Sequence, residues 1–300
     1  MIWLIGCKGM LGTEIARQLT ENKINFVGTD IDVDITNVEA LETFAKSKSD
    51  ITHIINCSAY TAVDKAESDV ELATKLNKDG PGNIATVAKE IGATLIHIST
   101  DYVFDGTGNT PRTEDMPIAP IGVYGVTKAA GEKAVDTVTD KYYILRTAWL
   151  YGWAGKNFVY TMIKAMNTHD AVKVVSDQKG TPTFAGDLAG VIINIINKEL
   201  DNKAIPYGIY HCTDLGEITW FDFTNEIKKQ GIEAGFITNK ECTVNPCTTE
   251  EYPTPAKRPA YSVLCKNKIQ NALGIKLPQW QESLSKFLTS PLFEKGRIKI

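Results

Sequence analysis

Apolar residues follow two rhythms along the first half of the chain. Short, mostly apolar runs, Ile2 to Ile5, Asn25 to Thr29, His53 to Cys57, Leu95 to Ser99 and Tyr142 to Arg146, have the length of strands buried on both faces of a parallel sheet. Between them, Thr13 to Asn22, Val38 to Lys48, a long region from Asp69 to Ile91 broken near Gly80-Pro81, and Gly125 to Val138 place apolar residues at helical spacing. Strands separated by helical crossovers predict an α/β fold, a doubly wound parallel sheet of Rossmann-like type. After Trp149 the alternation loosens. Phe158 to Met166 and Trp220 to Lys229 read as helices, and Thr243 to Pro259, rich in Pro and Thr, has no regular pattern. Residues 1–150 are therefore expected to form one domain, with part of 172–198 returning to it, and 151–300 mainly a smaller C-terminal one. Asp105 to Gly122 is all turn residues without a period, and such a loop between core elements reads as the wall of a site.

Composition narrows the classes. The 300 residues are 43% hydrophobic, enough for a substantial core, and the formal net charge of −4 offers no basic face for nucleic acid. Apolar stretches such as Val191 to Ile196 are too short to span a bilayer, so no membrane partner is expected. The opening MIWLIG reads as a strand, not a secretion signal, and the expected location is cytoplasmic. Six cysteines include no Cys-x-x-Cys pair, and four histidines form no spaced set, so no metal site is predicted. The cysteines read as reduced, small hydrophobes, with Cys242 and Cys247, flanking a Pro-containing loop, the one place to look for anything else.

Gly6, Gly9 and Gly12 recur every third residue in the first strand-to-helix turn. Glycines there permit positive φ and close approach of backbone to a pyrophosphate, and the following helix offers amide donors and the positive end of its dipole. The spacing matches the general dinucleotide fingerprint loosely, and a tight turn with nothing bound is the plainer alternative. Asp30 ends the second strand, where a carboxylate accepts from ribose hydroxyls and favours NADH. Lys8, inside the turn, is suited to a 2′-phosphate and to NADPH, so the choice stays open. Ala59, Tyr60 and Thr61 follow the third strand, at the sheet edge where a cofactor crevice opens.

Ser99, Thr100 and Asp101 end the next strand at the same edge. Tyr124 and Lys128 then lie four residues apart on one helix face. A phenol with an ordinary pKa of about 10 needs help near neutrality, and a nearby ammonium favours its ionised form. With Thr100 holding a carbonyl oxygen and Tyr124 giving a proton, the trio suits reduction of a ketone by a nicotinamide. Such a spacing arises about once by chance in a chain with eleven Tyr. Tyr160 and Lys164 are the chance copy: no Ser-Thr strand end precedes them, and Phe158, Val159, Met162 and Ile163 around them read as packing residues. Arg258, before a proline, reads equally as a bidentate clamp for a diphosphate or as a surface ion pair.

Together these residues resemble the short-chain dehydrogenase/reductase superfamily, in its extended branch acting on nucleotide sugars, and within it the dTDP-4-dehydrorhamnose reductase family. The matching words are GCKGMLG (6–12), NCSAYTAVDKAE (56–67), HISTDYVFDG (97–106), YGVTKAAGE (124–132), LRTAWLYG (145–152), SDQKGTPTFAGDLA (176–189) and PAKRPAYSVL (255–264), in order over nearly the whole chain. The resemblance implies reduction of the C4 keto group of a nucleotide-linked sugar with NADPH or NADH, in a homodimer whose C-terminal domain binds substrate. It implies Gly9, Met10 and Leu11 under the pyrophosphate, Asp30 at the adenosine ribose, Asp34 and Ile35 near the adenine, and Ala59, Tyr60 and Thr61 further along the cofactor. It implies Thr100 and Asp101 at the sugar, Tyr124 as proton donor, Lys128 at the nicotinamide ribose, and Trp149 packed on the substrate. Met10 stands where many relatives carry Gln. Some relatives bind Mg²⁺ at a dimer contact, and Glu14 matches one such ligand. The rivals are a dehydratase or epimerase of the same superfamily and a non-catalytic regulatory subunit on this fold. Tyr102 occupies the place where dehydratases carry Glu, and a binding-only relative would have no need of both Tyr124 and Lys128.

Overall fold

A computed structural model describes residues 1–297. Five strands of the first half, β1 (Ile2–Ile5), β2 (Phe26–Thr29), β3 (His53–Asn56), β4 (Thr94–Thr100) and β5 (Tyr142–Thr147), are joined by a sixth, Gly208–His211. They form one all-parallel sheet in the order β2-β1-β3-β4-β5 and then the sixth strand. Successive side chains of a strand point to opposite faces, and both faces are covered. Ile2, Leu4, Ile55 and Ile96 pack beneath α1 (Met10–Glu21) and the helix Ala185–Leu200. Trp3, Ile5, Ile54 and Leu95 pack beneath α2 (Val38–Lys46) and the helix Gly80–Glu90. The continuous apolar runs in the sequence are the imprint of this double burial.

The chain passes from β1 outward to β2, then crosses back over β1 to β3, so the direction of winding reverses between β1 and β3. Crevices for ligands open at the carboxyl ends of strands at such a switch point. Here Gly6 and Cys57 leave the sheet side by side. A second apolar core, built by Tyr151, Tyr160, Phe184, Phe223, Phe287 and Phe293, belongs to the later part of the chain.

Three readings of the sequence need correction. The region from Asp69 to Ile91 is not broken at Gly80-Pro81: helix Val70–Thr74 runs through a π-helical turn, Lys75–Asp79, into Gly80–Glu90. Pro81 follows directly on the π-helical turn, in the first turn of Gly80–Glu90. Thr243–Cys247 is not irregular; it pairs in parallel with Ala171–Val175, a two-stranded edge ladder that tolerates Pro246. Residues 105–122 do not line the cleft; Arg112 pairs with the 263–265 segment, tying the loop to the later part of the chain. All six cysteines are free.

Behind the end of β4, Arg146 and Glu132 form a fully buried pair, Nη2 to Oε2 2.7 Å and Nε to Oε1 2.9 Å, with Ser99 Oγ donating to Glu132 at 2.5 Å. A paired buried charge tolerates removal of both members far better than of one. Arg146→Met should lower the urea-unfolding free energy by about 3–5 kcal/mol, and adding Glu132→Leu should recover most of it. Equal losses in single and double variants would show that the pair carries no such coupling.

Candidate active site

A cleft of about 1000 Å³ opens along the carboxyl edge of β1, β3 and β4. At one end, α1 starts at Met10, with Gly9 as its extended N-cap, so its first amides emerge inside the glycine turn. Gly6 has φ +76°, and a Cβ there would stand 2.8 Å from the Ser58 amide nitrogen. A Cβ on Gly12 would meet the Gly6 carbonyl oxygen at 2.1 Å, so only glycine lets α1 pack this closely on the turn. Gly12 thus shapes the cradle from behind, while Gly6, Gly9, Met10 and Leu11 line it. The cradle fits the pyrophosphate of a dinucleotide: a glycine turn that lets backbone approach closely, followed by a helix N-terminus.

Asp30, Ile31, Val33, Asp34 and Ile35 line the next part of the cleft. The Asp30 carboxylate is held by two backbone amides, Lys8 N to Oδ2 at 3.0 Å and Ile31 N to Oδ1 at 3.1 Å. Ala59 and Thr61 line the cleft, but the Tyr60 side chain turns away and donates from its hydroxyl to Asp69 Oδ2 at 2.8 Å. Its backbone is fixed by buried Asn77, whose Oδ1 accepts from Tyr60 N at 2.8 Å. Asn77 Nδ2 donates to Tyr60 O and to Thr127 Oγ1, both at 3.1 Å. Thr127 lies between Tyr124 and Lys128, so one amide joins the 59–61 loop to the helix Val123–Val138. Nothing in the sequence pattern singled out Asn77.

At the other end of the cleft stand Thr100, Asp101, Tyr102, Tyr124, Lys128 and Trp149. Tyr124 keeps part of its ring open to the cleft, yet its hydroxyl is enclosed deeply enough that burial raises it above the ordinary phenol value, with the neighbouring Thr100 hydroxyl pulling the other way. Lys128 donates from Nζ to Ile98 O at 2.6 Å and, pushed down to about 8, has lost its charge before the buried phenol would ionise, so it does not lower the phenol. Lys128 itself, 2% exposed, is pushed down to about 8 by burial, with Glu132 opposing. Burial lifts Asp101 to about 6, while Ser262 and Thr100 favour its charged form; Thr100 Oγ1 donates to Oδ1 at 3.0 Å. The helix carrying Tyr124 starts where Glu67 Oε1 accepts from Val123 N at 2.9 Å.

Arg258 does not line the cleft. Its Nη2 donates to Asp64 Oδ2 at 2.7 Å and its Nη1 to the Tyr102 hydroxyl at 3.2 Å, placing it directly behind the rim. Tyr160 is core, its hydroxyl bonded to the carbonyls of Trp153 and Phe293. Within the single chain the Glu14 carboxylate is taken by Arg17 at 2.6 and 3.0 Å and by Gln18 at 2.8 Å. Among the described residues no cluster of three or more His, Cys, Asp or Glu is arranged to hold a metal, and no helix is long and apolar enough to cross a membrane.

Comparison with known proteins gives one consistent answer. Residues 1–292 match the family described as RmlD substrate binding domain. A dTDP-4-dehydrorhamnose reductase of Aggregatibacter actinomycetemcomitans is 39% identical, covering 94% of this chain and 96% of the relative. The crystal structure of a dTDP-4-dehydrorhamnose reductase from Clostridium acetobutylicum superposes with a TM-score of 0.88 at 45% identity, covering 96% of this chain and 98% of that one. That of the Bacillus anthracis dTDP-4-dehydrorhamnose reductase, in complex with NADP, gives 0.87 at 36% identity, covering 95% and 97%. With the fold, the cleft and nearly the full length in agreement, the chain belongs to the dTDP-4-dehydrorhamnose reductase family.

Proposed function

We propose that this chain reduces the C4 keto group of dTDP-4-dehydro-β-L-rhamnose to give dTDP-β-L-rhamnose, with NADPH or NADH, in the supply of rhamnose for cell-surface polysaccharide. The observation that carries the reading is that Thr100, Tyr124 and Lys128 line the same cleft that the glycine cradle closes at its far end. Residues 1–150, together with the helix Ala185–Leu200 packed on α1 and the sixth strand Gly208–His211, make up the dinucleotide-binding part in this reading, and most of the rest of 151–300 the substrate-binding part. A homodimer and a cytoplasmic location belong to the proposal on the family resemblance.

The nicotinamide, when bound, supplies the hydride for C4. The protein's task is the oxygen. Thr100 Oγ1 orients it, and Tyr124 delivers the proton as negative charge develops there. The raised phenol suits that direction of reaction. Burial keeps Tyr124 protonated until the alkoxide forms, and an alkoxide, conjugate to an alcohol about as weakly acidic as water with pKa roughly 16, still takes the proton. Lys128, one turn along the same helix, favours the phenolate left behind as long as it carries its charge. Asp101 is placed for a sugar hydroxyl, and Trp149 for an apolar face of the substrate. Tyr102, a half-buried phenol whose hydroxyl faces Arg258, cannot supply the carboxylate chemistry of a dehydratase. Arg258 has its guanidinium just behind the rim, against the Tyr102 hydroxyl, and in this reading a substrate diphosphate would have to displace Asp64 to reach it.

Offered dTDP-4-dehydro-β-L-rhamnose, the protein should oxidise at least one of NADPH and NADH; no turnover with either sinks the assignment. Tyr124→Phe should lower kcat by roughly 10²–10⁴-fold while leaving nicotinamide affinity unchanged, measured by fluorescence titration. Undiminished turnover in that variant would remove Tyr124 as proton donor.

The pH dependence has a definite sign. Lys128 is charged below its value of about 8 and neutral above it, so kcat/KM should fall as pH rises through that value, and Lys128→Met should lose this limb. A wild-type profile flat around pH 8 speaks against it. Arg258→Ala should raise KM for the nucleotide sugar more than it lowers kcat; an unchanged KM removes Arg258 from substrate binding.

A further inference from the structure

Trp149 is one of four described non-glycine residues with positive φ, at +48°, and the one among them that lines the cleft. An αL backbone is costly for a bulky residue and persists only where its surroundings over-determine it. Thr183 fixes the main chain on both sides of Trp149, its N–H donating to Trp149 O at 3.2 Å and its Oγ1 to Ala148 O at 2.6 Å. Leu150–Tyr151 then pairs with Thr183–Phe184. The indole is fixed as firmly as its backbone. Trp220 lies parallel to it, ring centroids 3.6 Å apart and planes 12° apart. A Cβ on Gly180 would come within 2.6–2.8 Å of Trp149 Cε2, Cζ2 and Nε1, so the backbone closes on the ring from a second side.

Trp220 does not itself line the cleft. It opens the helix Trp220–Glu233, whose N-terminus is set by a capping box between Thr219 and Asp222, and it packs against Phe158 and Phe223 of the second core. An aromatic ring so mounted is a stop. We propose that Trp220 is a positioning residue for nucleotide-sugar recognition: it presses Trp149 into the one orientation in which that ring forms the substrate wall, with Gly180 leaving room for it. The inference rests on the reading of Trp149 as a substrate contact, and it adds that the wall's orientation is dictated from the C-terminal core through a residue that never touches substrate. Without Trp220 the strained Trp149 has an open side toward which it can relax.

The test compares Trp149→Ala, Trp220→Ala, Trp220→Phe and Gly180→Ala with wild type. Two stacked indoles give an exciton couplet in circular dichroism, which should be present in the wild type and lost in all three Trp variants. In Trp220→Ala, KM for dTDP-4-dehydro-β-L-rhamnose should rise about tenfold, the scale of one aromatic pair, with a smaller change in kcat and none in KM for the nicotinamide. Trp220→Phe, which keeps a flat ring in place, should restore most of the affinity. Gly180→Ala should reproduce the rise in KM with Trp220 intact. If Trp149→Ala raises KM but Trp220→Ala does not, Trp220 has no positioning role and the inference falls. An unchanged KM in Trp149→Ala overturns the substrate reading of Trp149 itself, and the inference with it. A Trp220→Ala protein whose nicotinamide KM rises in parallel would indicate general loosening and also count against the proposal.

Discussion

The cleft depends on a contact between two stretches of backbone. Where β1 and β3 leave the sheet, Gly6 comes so near the Ser58 amide that a single carbon on its Cα would collide, and Gly12 comes nearer still to the carbonyl of Gly6. The close packing brings the first turn of α1 down onto the switch point of the sheet, so that its amides face the crevice. Everything else in the site is placed relative to that point: Asp30 one strand outward, the 59–61 loop directly above, and the end of β4 one strand inward. A side chain at either glycine would lift the helix and displace the whole set.

Charge is distributed just as economically at the chemical end. Glu132 lies one helical turn beyond Lys128, but its carboxylate is engaged by Arg146, and Lys128 makes its own hydrogen bond to a neutral carbonyl. Among the described residues the ammonium is therefore buried with a carbonyl but no carboxylate for a partner. A chain with a net charge of −4 thus keeps a positive charge at the floor of a cleft suited to anionic ligands.

Much of this was legible in the sequence because it follows from local rules. Burial on both faces writes continuous apolar runs, a helix resting on a strand writes glycines, and Tyr124 with Lys128 obeys helical spacing. What escaped was non-local. Thr243–Cys247 looks irregular because an edge strand of a two-stranded ladder has little to alternate between and can include Pro246. The loop at 105–122 has the composition of a site wall, but only its pairing with the 263–265 segment shows where it goes. Trp220 carries no motif at all; its significance is a ring placed against another 71 positions away (220 − 149). Arg258 was ambiguous in sequence for a sound reason, since its guanidinium faces both an acidic partner and the phenol at the rim.

The buried amide of Asn77 bears on how freely the parts of this enzyme can be exchanged. One side chain bonds both to the backbone of the 59–61 loop beside the cleft and to the helix that carries Tyr124, and Gly131 on that helix leaves no room for a Cβ against the Asn77 carbonyl. The two segments behave as one part. A chimera that imports a relative's residues 56–62 without the matching residue 77 inherits a mis-seated helix along with its new loop, so alterations to the loop will also register at Tyr124.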